Sequence, residues 1–436
     1  MTATTPPTGG AGTLSPTPST TETATTATER SFIGSAGAPD PTALDDSIRP
    51  FRFQASDEAL ADLKRRISAT KWPDKELVDD ASQGVQLATI QKLASYWAND
   101  HDWRKVEATL NRYPQFVTAI DGLDIHFLHV RSQHEDALPL IVTHGWPGSV
   151  IEQLKIIEPL TDPTAHGGQA SDAFHLVIPS MPGYGFSGKP RETGWGPERI
   201  AETWAKLMDR LGYTRYVAQG GDWGALITDF MGAQAPQGLI GINTNMPGAI
   251  PPEIDAAALK GAEPPAGLDD EERAAFDHVA FFYKHGLGYA QEMGNRPQTL
   301  YGIEDSPIGL AAWIIDHDIW TYKMIARVFD GETEGLTRDD IVDNITLYWL
   351  TNTGVSSARL YWENKNAFFA PKGVKIPTVV SVFPEDIPGP VPRKWAEAAY
   401  PELVFYRKHP EGAHFAAWEQ PEALVADLRE GFRSLR

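Results

Sequence analysis

From Ile48 onward the chain is patterned. Leu60, Leu63 and Ile67 recur at helical spacing behind Ser56, a residue suited to capping a helix, and the pattern stops before Trp72-Pro73. A second helical pattern covers about 86–98, so 48–115 reads as a helical N-terminal segment. The period then changes. PQFVTAI and LDIHFLHV flank Asp121-Gly122, a strong hairpin signal. LPLIVTH (138–144) and FHLVIPS (174–180) are apolar without alternation, as strands buried on both faces should be. An amphipathic helix over 196–212 puts Ile200, Trp204, Leu207, Met208 and Leu211 on one face. RYVAQ (215–219) reads as a strand, GALITDFMGAQ as a helix and LIGINTNM (239–246) as a strand. KIPTVVSVF (375–383), ELVFYR (402–407) and a closing helix at about 415–433 complete the pattern.

Strands alternating with helices predict an α/β fold, a mostly parallel sheet wrapped by helices. Between 247 and 370 the strand signal lapses. EERAAFDHVAFFYKH, IGLAAWIIDHDIWTYKMIARVF and RDDIVDNITLYWL predict a helical insertion, the usual build of a lid over an active site. The expected organisation is a helical segment at 48–115, a first part of the α/β core at 116–246, a lid at 247–370 and a second part of the core at 371–436.

Residues 1–47 stand apart. Twelve of the first thirty are Thr, interleaved with Pro, Ala and Gly. Such a stretch buries too little apolar surface to offset its ordering entropy and is predicted to be a disordered, Thr/Pro-rich tail.

Composition narrows the function. The 436 residues are 42% hydrophobic and 10% aromatic, a globular balance. Lys and Arg number 38 against 58 Asp and Glu, a net charge of −20, which argues against nucleic acid and anionic membrane surfaces as partners. There is no Cys, which excludes disulfides, thiolate zinc and a cysteine nucleophile. No run approaches the ~20 apolar residues of a spanning helix and no secretory signal is readable, so the expectation is a soluble cytoplasmic protein.

The most informative stretch is Tyr216-Val-Ala-Gln-Gly-Gly-Asp-Trp-Gly-Ala-Leu. A strand runs into Gly220-Gly221-Asp222-Trp223-Gly224 and then a helix, the form of a nucleophile elbow with small residues two before and two after the centre. The central residue is Asp222, and no G-x-S-x-G occurs, which disfavours a serine esterase. A carboxylate is ionised at neutral pH and can attack an sp³ carbon to give an enzyme-bound ester, opening a C–O or C–halogen bond. The plain alternative is a turn whose Asp caps the helix.

LPLIVTH ends in His144-Gly145-Trp146-Pro147-Gly148-Ser149, where a second oxyanion donor belongs. The backbone N–H groups of Trp146 and Trp223 are the expected oxyanion hole, and His144 reads as a structural His. The base should come last in the chain. His414, in Glu411-Gly-Ala-His-Phe, lies on a loop between the last strand and last helix; His409, its rival, reads as a surface residue. The carboxylate that orients the base should follow KIPTVVSVF, as Glu385 or Asp386. Asp316-His317-Asp318 reads as a polar helix face, not as a metal site.

With these pieces placed, the chain from about Arg49 resembles the epoxide hydrolases of the microsomal and juvenile-hormone type. RPFRFQASDEALADLKRRI, HGWPGS, PGYGFSGKP, WGPERIAETWAKLMDRLGY leading into GGDWG, DSPIGLAAW and EGAHFAAWEQP carry the resemblance, in order. It implies an α/β-hydrolase fold with a helical lid. It also implies Asp222 as nucleophile, His414 as base, and Asp386, fourth in Phe383-Pro-Glu-Asp, as orienting acid. Two lid tyrosines would hold the epoxide oxygen. Tyr361, in SSARLYWEN, matches one; Tyr289, in GLGYAQ, matches the other, with Tyr283 and Tyr301 nearby. The implied reaction needs no cofactor and no metal. Its partner is a small-molecule epoxide; no membrane anchor is implied, because membrane-bound relatives begin with a hydrophobic segment where this chain has a polar tail. A homo-oligomer is compatible with all of this. Two other classes fit parts of the pattern: a haloalkane-dehalogenase-type hydrolase, which shares an Asp elbow, and a non-catalytic binding module on the same fold.

Overall fold

The computed structural model describes residues 46–436, so the tail expected over 1–47 lies outside the described residues but for its last two. Among the described residues nine strands form one sheet: β1 (Arg49–Phe51), β2 (Gln115–Ile120), β3 (Leu123–Val130), β4 (Leu138–Thr143), β5 (Phe174–Pro179), β6 (Tyr216–Gly220), β7 (Leu239–Thr244), β8 (Thr378–Val382) and β9 (Leu403–Lys408). Their order is β1-β2-β3-β5-β4-β6-β7-β8-β9. β1, β2, β3 and β5 pair antiparallel, and everything from β5 to β9 is parallel. The β2–β3 hairpin turns on Asp121 and Gly122, both left-handed at φ 52° and 79°, as a two-residue turn matching strand twist requires.

Alternate residues of the central strands face opposite sides of the sheet and build two cores. Ile141, Val177, Ala218 and Val380 join one; Leu140, Val142, Leu176, Ile178, Val217 and Val379 join the other. Both faces are covered, which is why β5, β6 and β8 are buried along their whole length and lack polar alternation.

Helices cover the sheet. α1 (Asp57–Ser68), α2 (Leu87–Asn99) and α3 (Trp103–Leu110) precede the hairpin. Ser56 caps α1, its Oγ accepting from the Ala59 N–H at 3.1 Å. The segment is not wholly helical, however: β1 adds an edge strand, too short to register as a period and interrupted by Pro50. α4 (Leu154–Thr161), α5 (Pro197–Arg210) and α6 (Trp223–Gln234) alternate with the central strands.

Eight helices separate β7 from β8: α7 (Pro252–Leu259), α8 (Asp270–His285), α9 (Gly288–Asn295), α10 (Tyr301–Asp305), α11 (Pro307–Ile315), α12 (Ile319–Asp330), α13 (Arg338–Thr351) and α14 (Gly354–Glu363). α15 (Arg393–Ala399), α16 (Ala416–Glu419) and α17 (Pro421–Gly431) finish the chain, Pro421 dividing the expected closing helix. The long run IGLAAWIIDHDIWTYKMIARVF is likewise two helices. It breaks at Asp316–Asp318, where Asp318 caps α12 by accepting from the N–H groups of Trp320 (3.0 Å) and Thr321 (2.8 Å).

The N-terminal helices dock on this helical region. Trp97 Nε1 donates to Thr346 Oγ1 (2.8 Å), Tyr96 donates to Asp339 (2.6 Å) and His101 meets Asp343 (2.7 Å). The Gln86 N–H donates to the Tyr322 hydroxyl at 2.8 Å.

Candidate active site

β6 delivers the chain to Asp222 at the start of α6. The backbone there has φ +53° and ψ −126°, a conformation L-residues avoid and one that persists only where the surroundings enforce it. The turn is too close to its neighbours for side chains. A Cβ on Gly224 would lie 2.0 Å from the Thr143 carbonyl oxygen, and one on Gly145 would lie 2.3 Å from the Asp222 Cβ. The bend lifts the Asp222 carboxylate over the ends of β4 and β6.

Both carboxylate oxygens have a neighbour. Oδ1 accepts from the Trp146 N–H at 2.7 Å, and Oδ2 lies 3.4 Å from His414 Nε2. Trp223 opens α6, so its N–H is among those with no intrahelical acceptor. His414 Nδ1 in turn faces Asp386 Oδ1 at 2.6 Å, which also accepts from the Ile387 N–H (2.8 Å). Asp386 follows β8 and is buried; Glu385 beside it is exposed. His409 is elsewhere and is not a surface residue: its ring stacks on Phe383 at 4.6 Å, and Nε2 meets the fully buried Asp427 at 2.7 Å. The turn after β9 folds it inward, which its place beside Lys408 did not suggest.

Burial and charge set the protonation states. Burial alone would raise Asp222, but His414, then His317 and the Trp146 N–H, outweigh it and hold the carboxyl below its ordinary range. Burial alone would lower His414; contacts with Asp222 and Asp386 hold it well above an ordinary imidazole instead. Asp386 is raised, chiefly by burial. His144 bonds the Gly145 carbonyl through Nδ1 (2.9 Å) and accepts the Met181 N–H through Nε2 (3.2 Å); burial brings it down to about 4, a neutral ring.

Above the carboxylate stand two phenols. Tyr289 on α9 and Tyr361 on α14 have ring centroids 5.8 Å apart at 80°. Tyr289 stacks on Trp146, and Tyr361 packs edge-on against Trp223 at 4.7 Å. Burial, followed by nearby negative charge, pushes both hydroxyls well above the usual phenol range. The alternatives sit apart: Tyr283 donates to Asp255, and Tyr301 is exposed.

Two buried groups here had no signal in the sequence reading. Asp316–Asp318 is not a polar helix face but the break between α11 and α12, and it turns His317 into the site. A ring nitrogen of His317, one of His414 and a carboxylate oxygen of Asp222 lie within 4.8 Å of one another. A cation held by these three donors would occupy the Asp222 carboxylate and the His414 imidazole together. The second group is Glu152. With Gln153, Gln219, Asn245, Asp222 and His414 it lines a cavity of about 10 Å³, roughly the space of one water. Burial pushes Glu152 up to about 8, so it is a neutral acid at pH 7. The loop between β4 and Glu152 is pinned from α13: Asn344 donates to the Pro147 carbonyl (2.7 Å) and Tyr348 to that of Gly148 (2.8 Å).

The chain is similar to known proteins along most of its described length. The family model "Epoxide hydrolase N terminus" matches residues 48–153, and the "alpha/beta hydrolase fold" model matches 139–284. A Stigmatella aurantiaca protein provisionally named as an epoxide hydrolase is 50% identical over 89% of this chain and 86% of its own. Epoxide hydrolase 1 of Oryctolagus cuniculus is 37% identical over 88% of each chain. The crystal structure of juvenile hormone epoxide hydrolase from the silkworm Bombyx mori superposes with TM-score 0.79 at 30% identity, over 90% of this chain and 96% of that one. Among the described residues no helix is long and apolar enough to cross a membrane. A nine-stranded sheet with an Asp at its elbow, matched along nearly its whole described length by such relatives, means that the chain belongs to the epoxide hydrolase family, on the α/β-hydrolase fold.

Proposed function

We propose that the chain converts a small-molecule epoxide to a vicinal diol through a covalent ester on Asp222. The observation that carries this reading is the position of the Asp222 carboxylate, held between the Trp146 N–H and the His414 ring and beneath two phenols.

Asp222 attacks an epoxide carbon. The C–O bond of the ring breaks, and Tyr289 and Tyr361 hydrogen-bond the oxygen as alkoxide charge develops; one of them transfers its proton. A hydroxyalkyl ester of Asp222 results. Esterification removes a negative charge from beside His414, and with it much of the pull that keeps the ring charged. Neutral His414, fixed in one tautomer by Asp386, then takes a proton from water. The cavity beside Glu152, Gln219 and Asn245 suits that water, because it opens on both the ester carbon and the imidazole. Water attacks the ester carbonyl, the Trp146 and Trp223 N–H groups hold the oxyanion, and the diol leaves. The helices from α7 to α14 serve as the lid that brings the phenols over the carboxylate.

A single turnover in ¹⁸O water with excess enzyme tests the route on styrene oxide. The first diol should carry an unlabelled oxygen drawn from Asp222, and His414→Gln should accumulate an adduct of substrate mass. Label entering the first diol directly would mean attack by water and would end the proposal. Turnover of a haloalkane with no epoxide accepted would move the chemistry to C–halogen cleavage.

A further inference from the structure

One buried imidazole has no task in the cycle above. His317 is 1% exposed and lies in the break between α11 and α12. Its Nδ1 lies 3.1 Å from an oxygen of the buried Asp318, whose other oxygen caps α12. A carboxylate only accepts, so Nδ1 carries the hydrogen and Nε2 presents a lone pair. That Nε2 is buried and has no hydrogen-bond partner among the described residues. The ring lies between two others that take part in the chemistry: its centroid is 4.7 Å from that of His414 and 4.9 Å from that of Tyr289. Trp146 at 5.6 Å and Phe415 at 5.9 Å enclose it and keep out bulk water. The titratable groups facing it are Asp318, His414, Asp222 and Tyr289.

The placement answers a need in the proton count. Ring opening that draws its proton from Tyr289 leaves a phenolate there. It also turns Asp222 into a neutral ester, so His414 loses one of the two carboxylates that hold its proton. Before His414 can act as a base it must shed that proton, and before the next turnover Tyr289 must regain one.

We propose that His317 relays this proton from His414 to Tyr289 between the two half-reactions. The proposal rests on the ester reading above. In the first transfer the Nε2–H bond of His414 breaks as an Nε2–H bond forms on His317. In the second that bond breaks as the Tyr289 O–H re-forms. No electrons change hands. Asp318 stabilises the passing imidazolium, and the elevated proton affinity of the buried phenolate makes the last step downhill. Neutral His414 then serves the hydrolytic step. Of the two protons of water, one leaves on the diol and the other recharges His414.

Stopped-flow tryptophan fluorescence, read alongside quenched-flow intact mass, separates ester formation from ester decay. His317→Gln should form the ester at the wild-type rate, within about two-fold, while decay slows by ~10²-fold and the ester accumulates. In His317→Gly, free imidazole at constant pH should restore decay in a saturable way. Asp318→Asn is the companion variant. Asn still caps α12, so the fold survives, but it cannot stabilise an imidazolium, and decay should slow selectively. Unchanged ester decay in these variants overturns the relay alone. So does slowing of formation and decay together with no rescue by imidazole. Absence of any ester in the wild type overturns the ester reading, and the relay with it.

Discussion

Tyr289 lies flat on Trp146, ring centroids 5.1 Å apart and planes 11° from parallel. Trp146 thus touches both groups: its backbone N–H holds the Asp222 oxygen, and its indole supports the phenol above it. The spacing between the Asp222 carboxylate and the Tyr289 phenol is therefore set by a packed aromatic pair, not by a flexible chain. Tyr289→Phe keeps the stack and deletes the hydroxyl. Ester formation should slow by ~10²-fold, the scale of a lost general acid, and thermal stability should stay near the wild type's. Rapid-quench measurement of the adduct checks this; an unchanged rate of ester formation would assign the proton to Tyr361.

Glu152 should appear in the alkaline limb of the pH profile. Its carboxyl is neutral up to about 8, and above that it places a second negative charge beside Asp222. Glu152→Gln mimics the neutral acid. Near pH 7 its kcat should stay within a few-fold of wild type, and the fall in kcat expected of the wild type above pH 8 should be missing. Profiles that superpose at high pH would exclude a role for this acid.

His414 links stability to pH. Its folded-state pKa is raised, so the folded chain binds the proton more tightly than the unfolded one. That stabilisation is complete below the ordinary value of 6.5 and drains away as pH rises through the folded value. Asp222 is depressed and behaves oppositely: its contribution is present above 3.8 and lost as pH falls through the folded value. The Tm of the wild type should consequently decline more steeply between pH 6.5 and 9 than that of His414→Gln. Parallel curves would mean that the imidazole is not held charged in the fold.

Gly224 in the elbow and Gly145 against it should both resist a methyl group. Gly224→Ala drives a methyl into the Thr143 backbone at 2.0 Å, and backbone cannot move aside cheaply. The expected cost is about 3 kcal/mol or more, read as a fall in denaturation midpoint. Gly145→Ala meets the Asp222 Cβ at 2.3 Å, an atom fixed by the elbow backbone that rotation of the side chain does not move. That variant should lose stability too, and its folded fraction should lose ~10²-fold in kcat, as displacement of a reacting group does. A denaturation midpoint of either variant equal to the wild type's would contradict this reading of the contacts.

Much of this was legible along the chain because its signals are local. The elbow needs small residues at fixed offsets from Asp222, the parallel strands are uniformly apolar, and the order of Asp222, Asp386 and His414 follows the strands that carry them. His317 was illegible for a physical reason. The apolar period of α11 continues into α12 without a change of phase, so Asp316–Asp318 reads as one more turn of helix until Asp318 is seen capping the second. Glu152 looks like any acid on a helix start; its neutrality arises from burial under Gly148 and against the elbow, which only the folded chain brings together. β1 escaped notice because three residues are too few to carry a period.

The contacts that tie α2 to α12 and α13 bear on how the protein could be cut. Trp97, Tyr96 and His101 grip the same helical region that carries the phenols, and α13 in turn steadies the loop that holds Trp146. Trimming the chain back to its sheet-forming portion would not leave a leaner working enzyme. It would leave an unroofed one, in which Asp222 survives but the two phenols and the Trp146 loop have lost their common buttress.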